Sequence, residues 1–192
     1  MLQRSPTGPC RRGRRAVAAL ATLALAASAC TPAWNWREIR QPEGGYAVML
    51  PDKPATASRG IDLDGLPVTM TMTGARVGET TFTVGVVVLP DAAAATRDKA
   101  TAAMRLAMVR NIGGRESAHA EVALPVLDTG GREVATQPAV RIDAEGRVGE
   151  RPMHMAAQFV ARGDRAWQVV VMGREADPEH ASQFLDSFRI VE

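Results

Sequence analysis

Three histidines, His119, His154 and His180, are the side chains of this 192-residue chain best suited to acid–base work near neutral pH. Ser117 stands two positions before His119, a spacing that points both to one face of an extended strand. A serine hydrolase also needs an orienting carboxylate and an oxyanion hole. No Gly-x-Ser-x-Gly elbow is present, so the pair is expected on a solvated strand face. His180 follows Asp177 and Glu179 at the start of a helix and is expected at the surface. Met70-Thr71-Met72 and Met153-His154-Met155 have a spacing at which thioethers could hold a soft Cu(I) ion. Strand alternation explains the same spacing: Thr69, Thr71 and Thr73 take the opposite face, and His154 points away from its two neighbours. These methionines are therefore expected in the core. Asp62 and Asp64 flank a hairpin turn and are expected to be solvated. No zinc-type Cys/His spacing or phosphate-binding glycine loop occurs, so no catalytic residue, metal or cofactor is assigned.

The remaining chemistry belongs to cysteine. Two residues, Cys10 and Cys30, are too few for a disulfide scaffold. Residues 1–15 hold five arginines and no acid, and 16–26 are apolar or small apart from one threonine. Ala27-Ser28-Ala29 then precede Cys30. A basic end, a short apolar run and small residues make a secretory signal. The uncharged stretch Ala16–Ala29 falls short of the roughly 20 residues of a spanning helix. Small residues directly before a cysteine resemble the lipobox of bacterial lipoproteins. That resemblance implies removal of 1–29 and a diacylglyceryl group on Cys30, the new first residue. Ala27 departs from the leucine commonest at its position, and the alternative is an ordinary Ala-x-Ala cut that leaves Cys30 a free thiol. Thr31, with no aspartate in its place, implies outer-membrane sorting by resemblance to Gram-negative lipoproteins. Paired arginines leave Sec and twin-arginine export both open.

Loss of the signal inverts the charge. The whole chain carries 23 Lys/Arg and 21 Asp/Glu; without the five arginines of 1–29 it holds 18 and 21, a net −3. Electrostatic attraction to nucleic acid or to anionic lipid is not expected from the overall charge of such a chain. Residues 30–35 form a short tether: Thr31–Asn35 reach at most about 17 Å when extended. Trp34 and Trp36 lie in or beside it. Trp36 is expected to begin a strand and pack on the core; Trp34 is left between the core and the membrane boundary that tryptophan favours.

Turn residues and periodicity divide the rest. Short extended runs surround Pro42–Gly45; 57–63 and 66–75 flank Asp64-Gly65, a strong hairpin signal; and 79–89 ends at Pro90. A helix over about 92–112, capped by Asp91, carries an apolar stripe of Ala100, Met104, Met108 and Ile112. Strands over about 116–127, 132–143, 150–162 and 165–173 follow, with turns at Gly130-Gly131, Glu145-Gly146 and Gly163-Asp164. Asp177-Pro178 opens a second helix that buries Ala181, Phe184, Leu185 and Phe188. The expected fold class is α+β: one domain over 36–192, an antiparallel sheet with helices packed on its faces.

Gly45-Tyr46-Ala47-Val48-Met49-Leu50-Pro51 before Lys53-Pro54 resembles the opening of PsbP/Mog1-like domains. The long hairpin 156–172 and the helix ending Phe184-Leu185-Asp186-Ser187-Phe188 resemble their close. The resemblance implies an antiparallel sheet sandwiched by helices and a non-catalytic binding or assembly module. The expected function is therefore an envelope lipoprotein held to the membrane by its lipid and binding a protein partner. Carriage of lipid or another apolar ligand is the alternative.

Overall fold

The computed structural model describes residues 34–192; the signal segment 1–29 and Cys30 lie outside them. Ten strands and two helices follow in order: β1 (Arg37–Gln41), β2 (Tyr46–Leu50), β3 (Ala55–Asp62), β4 (Pro67–Val77), β5 (Thr80–Val88), α1 (Ala94–Asn111), β6 (Arg115–Leu127), β7 (Glu133–Val148), β8 (Arg151–Arg162), β9 (Arg165–Gly173), α2 (Pro178–Ser187) and β10 (Arg189–Val191). All ten strands join one sheet in the order β1-β2-β10-β6-β7-β8-β9-β5-β4-β3. Neighbours are antiparallel except β10 and β6, which run parallel.

The expected α+β fold, a sheet with helices packed on its faces, is not what forms, and the sandwich implied by the PsbP/Mog1-like resemblance falls with it. Strands hold 57% of the described residues and helices 18%, and the sheet curls into a half-barrel. Two helices cannot layer ten strands, so the sheet buries apolar surface by curling on itself. The curl brings distant strands together. Trp167 on β9 donates its indole N–H to the carbonyl of Gly44, just before β2, at 2.8 Å. Tyr46 on β2 meets Thr73 on β4, and burial there pushes its phenol pKa up. The concave face is filled by Tyr46, Leu50, Phe82, Trp167, Phe184, Phe188 and Ile190. Helix α2 supplies Phe184 and Leu185 to this face. Helix α1 lies on the convex face, where Ala100 and Met104 meet Met70, Ile142, Met155 and Phe159.

Local chemistry explains most elements. Six consecutive residues of β9, Ala166–Val171, are buried, because the strand is covered on both faces. Asp64 and Gly65 have φ of 57° and 86°, the doubly positive turn that suits a two-residue hairpin. Asp177 caps α2 by accepting from the Glu179 N–H at 2.8 Å. Asp91, expected to cap α1, instead accepts from the Ala93 N–H at 2.8 Å; Ala93 is the N-cap and offers no side-chain bond.

Two elements depart from expectation. Strand β7 does not turn at Glu145-Gly146 but continues to Val148. Gly146 is a site of close approach: a Cβ there would lie 2.8 Å from the Cα of Gly114 and closer still to the Ile112 carbonyl. The glycine lets the end of α1 sit against the strand. The tail after Phe188 forms β10, wedged between β2 and β6. Among the described residues both apolar clusters belong to one compact unit, Trp34–Glu192. A compact unit with its own hydrophobic core is the size and form of a domain that folds alone.

Candidate functional site

Strand β6 separates the serine–histidine pair. Its register slips between Glu116 and Ala118, a bulge at Ser117 that breaks the alternation. His119 pairs with Ile142 of the convex cluster. Ser117 instead lines a cleft of about 370 Å³ against α2, with Arg141, Asp143, Glu145, His154 and Ser182. The expected shared face is therefore absent. Pairing through β7 places Ser117 in one cleft with a different histidine, His154, and no local signal announced it. His154 stands opposite Glu145 in register; Ser117, Asp143, Glu145 and His154 are all exposed. Among the described residues no group of His, Cys, Asp or Glu is arranged to hold a metal ion. Arg141 is occupied by Gln158, at 2.8 Å, and Asp186. The cleft is a solvated polar surface without an ordered nucleophile–base pair.

Glu116 faces α1 and accepts from the Arg105 Nε at 2.6 Å and from its Nη2. That hydrogen bond, ahead of the opposing desolvation, holds the Glu116 carboxyl below the ordinary carboxylate range. The sign follows: the pair stabilises the fold above the unfolded carboxylate value of about 4.3, and the benefit is lost as pH falls through the lower folded value. Thermal unfolding of Glu116→Gln across acid pH is expected to show a shallower acid loss than the wild type. Parallel acid limbs would exclude this contribution.

The methionines behave as core. Met70, Met104 and Met155 are buried, and Met72, Met108, Met153 and Met172 pack against the same convex cluster. Met153 and Met155 share that face, and His154 lies on the other, lining the α2 cleft. Gln168 Nε2 donates to the Met108 sulfur at 3.7 Å. Asp62 accepts from the Gly65 N–H at 2.5 Å, and Asp64 lies 3.9 Å from Lys99. Both aspartates are exposed hairpin residues.

His180, expected at the surface, is half-buried. Its ring stacks on Trp34 at 3.7 Å between centroids and 11° between planes. Trp34 stacks in turn on Trp36 at 6.0 Å, and both indoles meet Phe82 edge-on at 5.9 Å. The His180 Nδ1 lies 3.1 Å from the Asp177 carboxylate, but the pair is misaligned and the atom forms no hydrogen bond. Trp36 packs on the core as expected, and Trp34 joins it. The two tryptophans and His180 thus clamp the start of the described chain to α2 and β5.

The least protected surface is β3. Seven of its eight residues are exposed, Ile61 being the exception, and β3 closes one end of the sheet order. Its inner edge pairs with β4 throughout, supported by Thr56–Thr73 and Ser58–Thr71 hydroxyl contacts at 2.9 Å. Its outer edge pairs with nothing among the described residues. Sheet edges are usually blunted by lysine, proline, bulges or short length. Ala55–Asp62 has no lysine, no proline and an unbroken register. The opposite edge, β1, is five residues long and carries Arg37, Glu38 and Arg40.

No family model matches the chain, and no curated protein matches it. Among solved structures, a crystal structure of a protein of unknown function from Pseudomonas aeruginosa is similar over 76% of this chain and 88% of its own. Its identity is 12% and its TM-score 0.37, a likeness too slight to argue from.

Proposed function

We propose that this chain is a non-catalytic envelope lipoprotein, anchored through acylated Cys30, that binds a protein partner by strand addition along β3. The open outer edge of β3 carries this reading: alternate residues along its eight-residue length direct backbone donors and acceptors toward an extended segment. Apart from Arg59 and Ile61 the side chains there are small or polar, so main-chain bonds would supply most of the attachment. The anchor rests on the signal pattern and on the small residues before Cys30. Sorting to the outer membrane, facing the periplasm, belongs to the same proposal. Carriage of lipid draws less support, because the concave face that would take an apolar ligand is packed with aromatic side chains.

Capture from membranes tests both parts. The full chain is expected to remain with membranes and, by intact mass, to begin at Cys30 with added acyl chains; Cys30→Ser is expected to lose both. Alternate residues of an edge strand direct their N–H outward, so one of Ala57→Pro and Ser58→Pro spares the pairing with β4. That variant is expected to keep the fold and lose the partner recovered with wild type. Recovery by the folded proline variant equal to that by wild type would refute the β3 edge. An unmodified sulfhydryl at Cys30 would refute the anchor.

A further inference from the structure

The strands fix which end of the half-barrel lies nearest the anchor. At one pole β5 and β8 begin and β4 and β9 end. Trp34 is clamped there, against Phe82 and His180. From Cys30 to Trp34 an extended chain reaches at most about 14 Å. With an acylated Cys30, a reading on which this inference rests, that pole stands close to the bilayer.

The same pole carries a cleft of about 300 Å³ on the convex side of the sheet. Arg76, Arg151 and Arg174 line it, with Glu79, Asn111 and exposed Val148. Thr81 lines it too, one residue from the Phe82 that holds Trp34. None of the three arginines lies within ion-pair distance of a carboxylate among the described residues. Arg40, Arg105, Arg132, Arg141 and Arg162 are all paired. The nearby C-terminus of α1 does not account for them. Its last carbonyls accept from the backbone N–H groups of Gly113, Gly114 and Arg147. Three cations and one anion therefore converge on a small cleft in a segment whose net charge is −3.

We infer that this pole rests on an anionic lipid surface, with Arg76, Arg151 and Arg174 taking the phosphate-bearing headgroups. Proximity from the tether and charge complementarity both select that occupant. The segment 34–192 lacks Cys30, so its behaviour separates this inference from the anchor. Its partition is measured by sedimentation with phosphatidylcholine vesicles, with and without phosphatidylglycerol. Binding is expected only with phosphatidylglycerol and is expected to weaken with salt. Arg151→Gln and Arg174→Gln are each expected to reduce partition roughly fivefold, for about 1 kcal/mol per surface arginine. Arg132→Gln, in the β6–β7 turn, makes the same change in net charge and is expected to leave partition unchanged. No preference for phosphatidylglycerol, or equal losses in all three variants, overturns the inference. So does binding of inorganic phosphate without binding of vesicles.

Discussion

Trp167→Ala is expected to lower stability by about 3–5 kcal/mol, the usual cost of removing a large aromatic from a core. Against a total of roughly 5–15 kcal/mol for a domain, that leaves a fold that is marginal or lost. Trp167 is 2% exposed, meets Phe188 edge-on at 6.5 Å and donates to the Gly44 carbonyl at 2.8 Å. The truncation leaves a cavity in the concave face and a carbonyl without its donor. It also breaks a bond that joins β9 to the β1–β2 turn across the half-barrel. Trp167→Phe keeps most of the packing and loses the donor, so a smaller loss of about 1–3 kcal/mol is expected. Denaturant unfolding followed by circular dichroism measures both. A loss under about 1 kcal/mol for the alanine variant would mean that β9 and the turn before β2 do not meet as described.

Gly146→Ala is the second large effect. A methyl group there meets backbone, the Ile112 carbonyl and the Gly114 Cα, not the flexible end of a side chain. Neither can swing away, so either α1 lifts or β7 bends. Overpacking of this kind costs about 1–3 kcal/mol. Gly60→Ala, on the exposed β3 where nothing lies within 4 Å of the added carbon, serves as control and is expected to be near neutral. The same denaturant midpoints decide it. Hydrogen exchange should speed up at the end of α1 in the first variant alone. Matching midpoints would show that Gly146 is a turn residue by composition only.

Signals confined to a few neighbouring residues were legible from the chain itself. Asp64-Gly65 announces its hairpin through positive φ, and Asp177-Pro178 announces α2 through a cap and a ring-fixed first turn. The methionine pairs are explained by alternation and do lie in the core. What was not legible depends on partners far along the chain. The tail 189–191 is too short for a periodic signal and becomes a strand only because β2 and β6 leave a gap between them. The bulge at Ser117 is set by register with β7, so spacing alone misplaces Ser117 and His119. Gly146 looks like a turn until the end of α1 is seen against it. The helical layers were overestimated because an amphipathic strand is satisfied equally by a helix or by the far side of a curled sheet. The open edge of β3 has no local mark at all, since its exposed serine, threonine and alanine read like any hairpin arm.

The parallel junction of β10 also sets an order of events during biogenesis. The β1–β2 hairpin can form early, but it joins the main sheet through β10, whose residues are synthesised after those of every other described strand. Until they emerge, the hairpin has no seat, and the aromatic lining of the half-barrel stays uncovered on that flank. Closure of that flank therefore waits for the last described strand, so the half-barrel completes its core late relative to its synthesis.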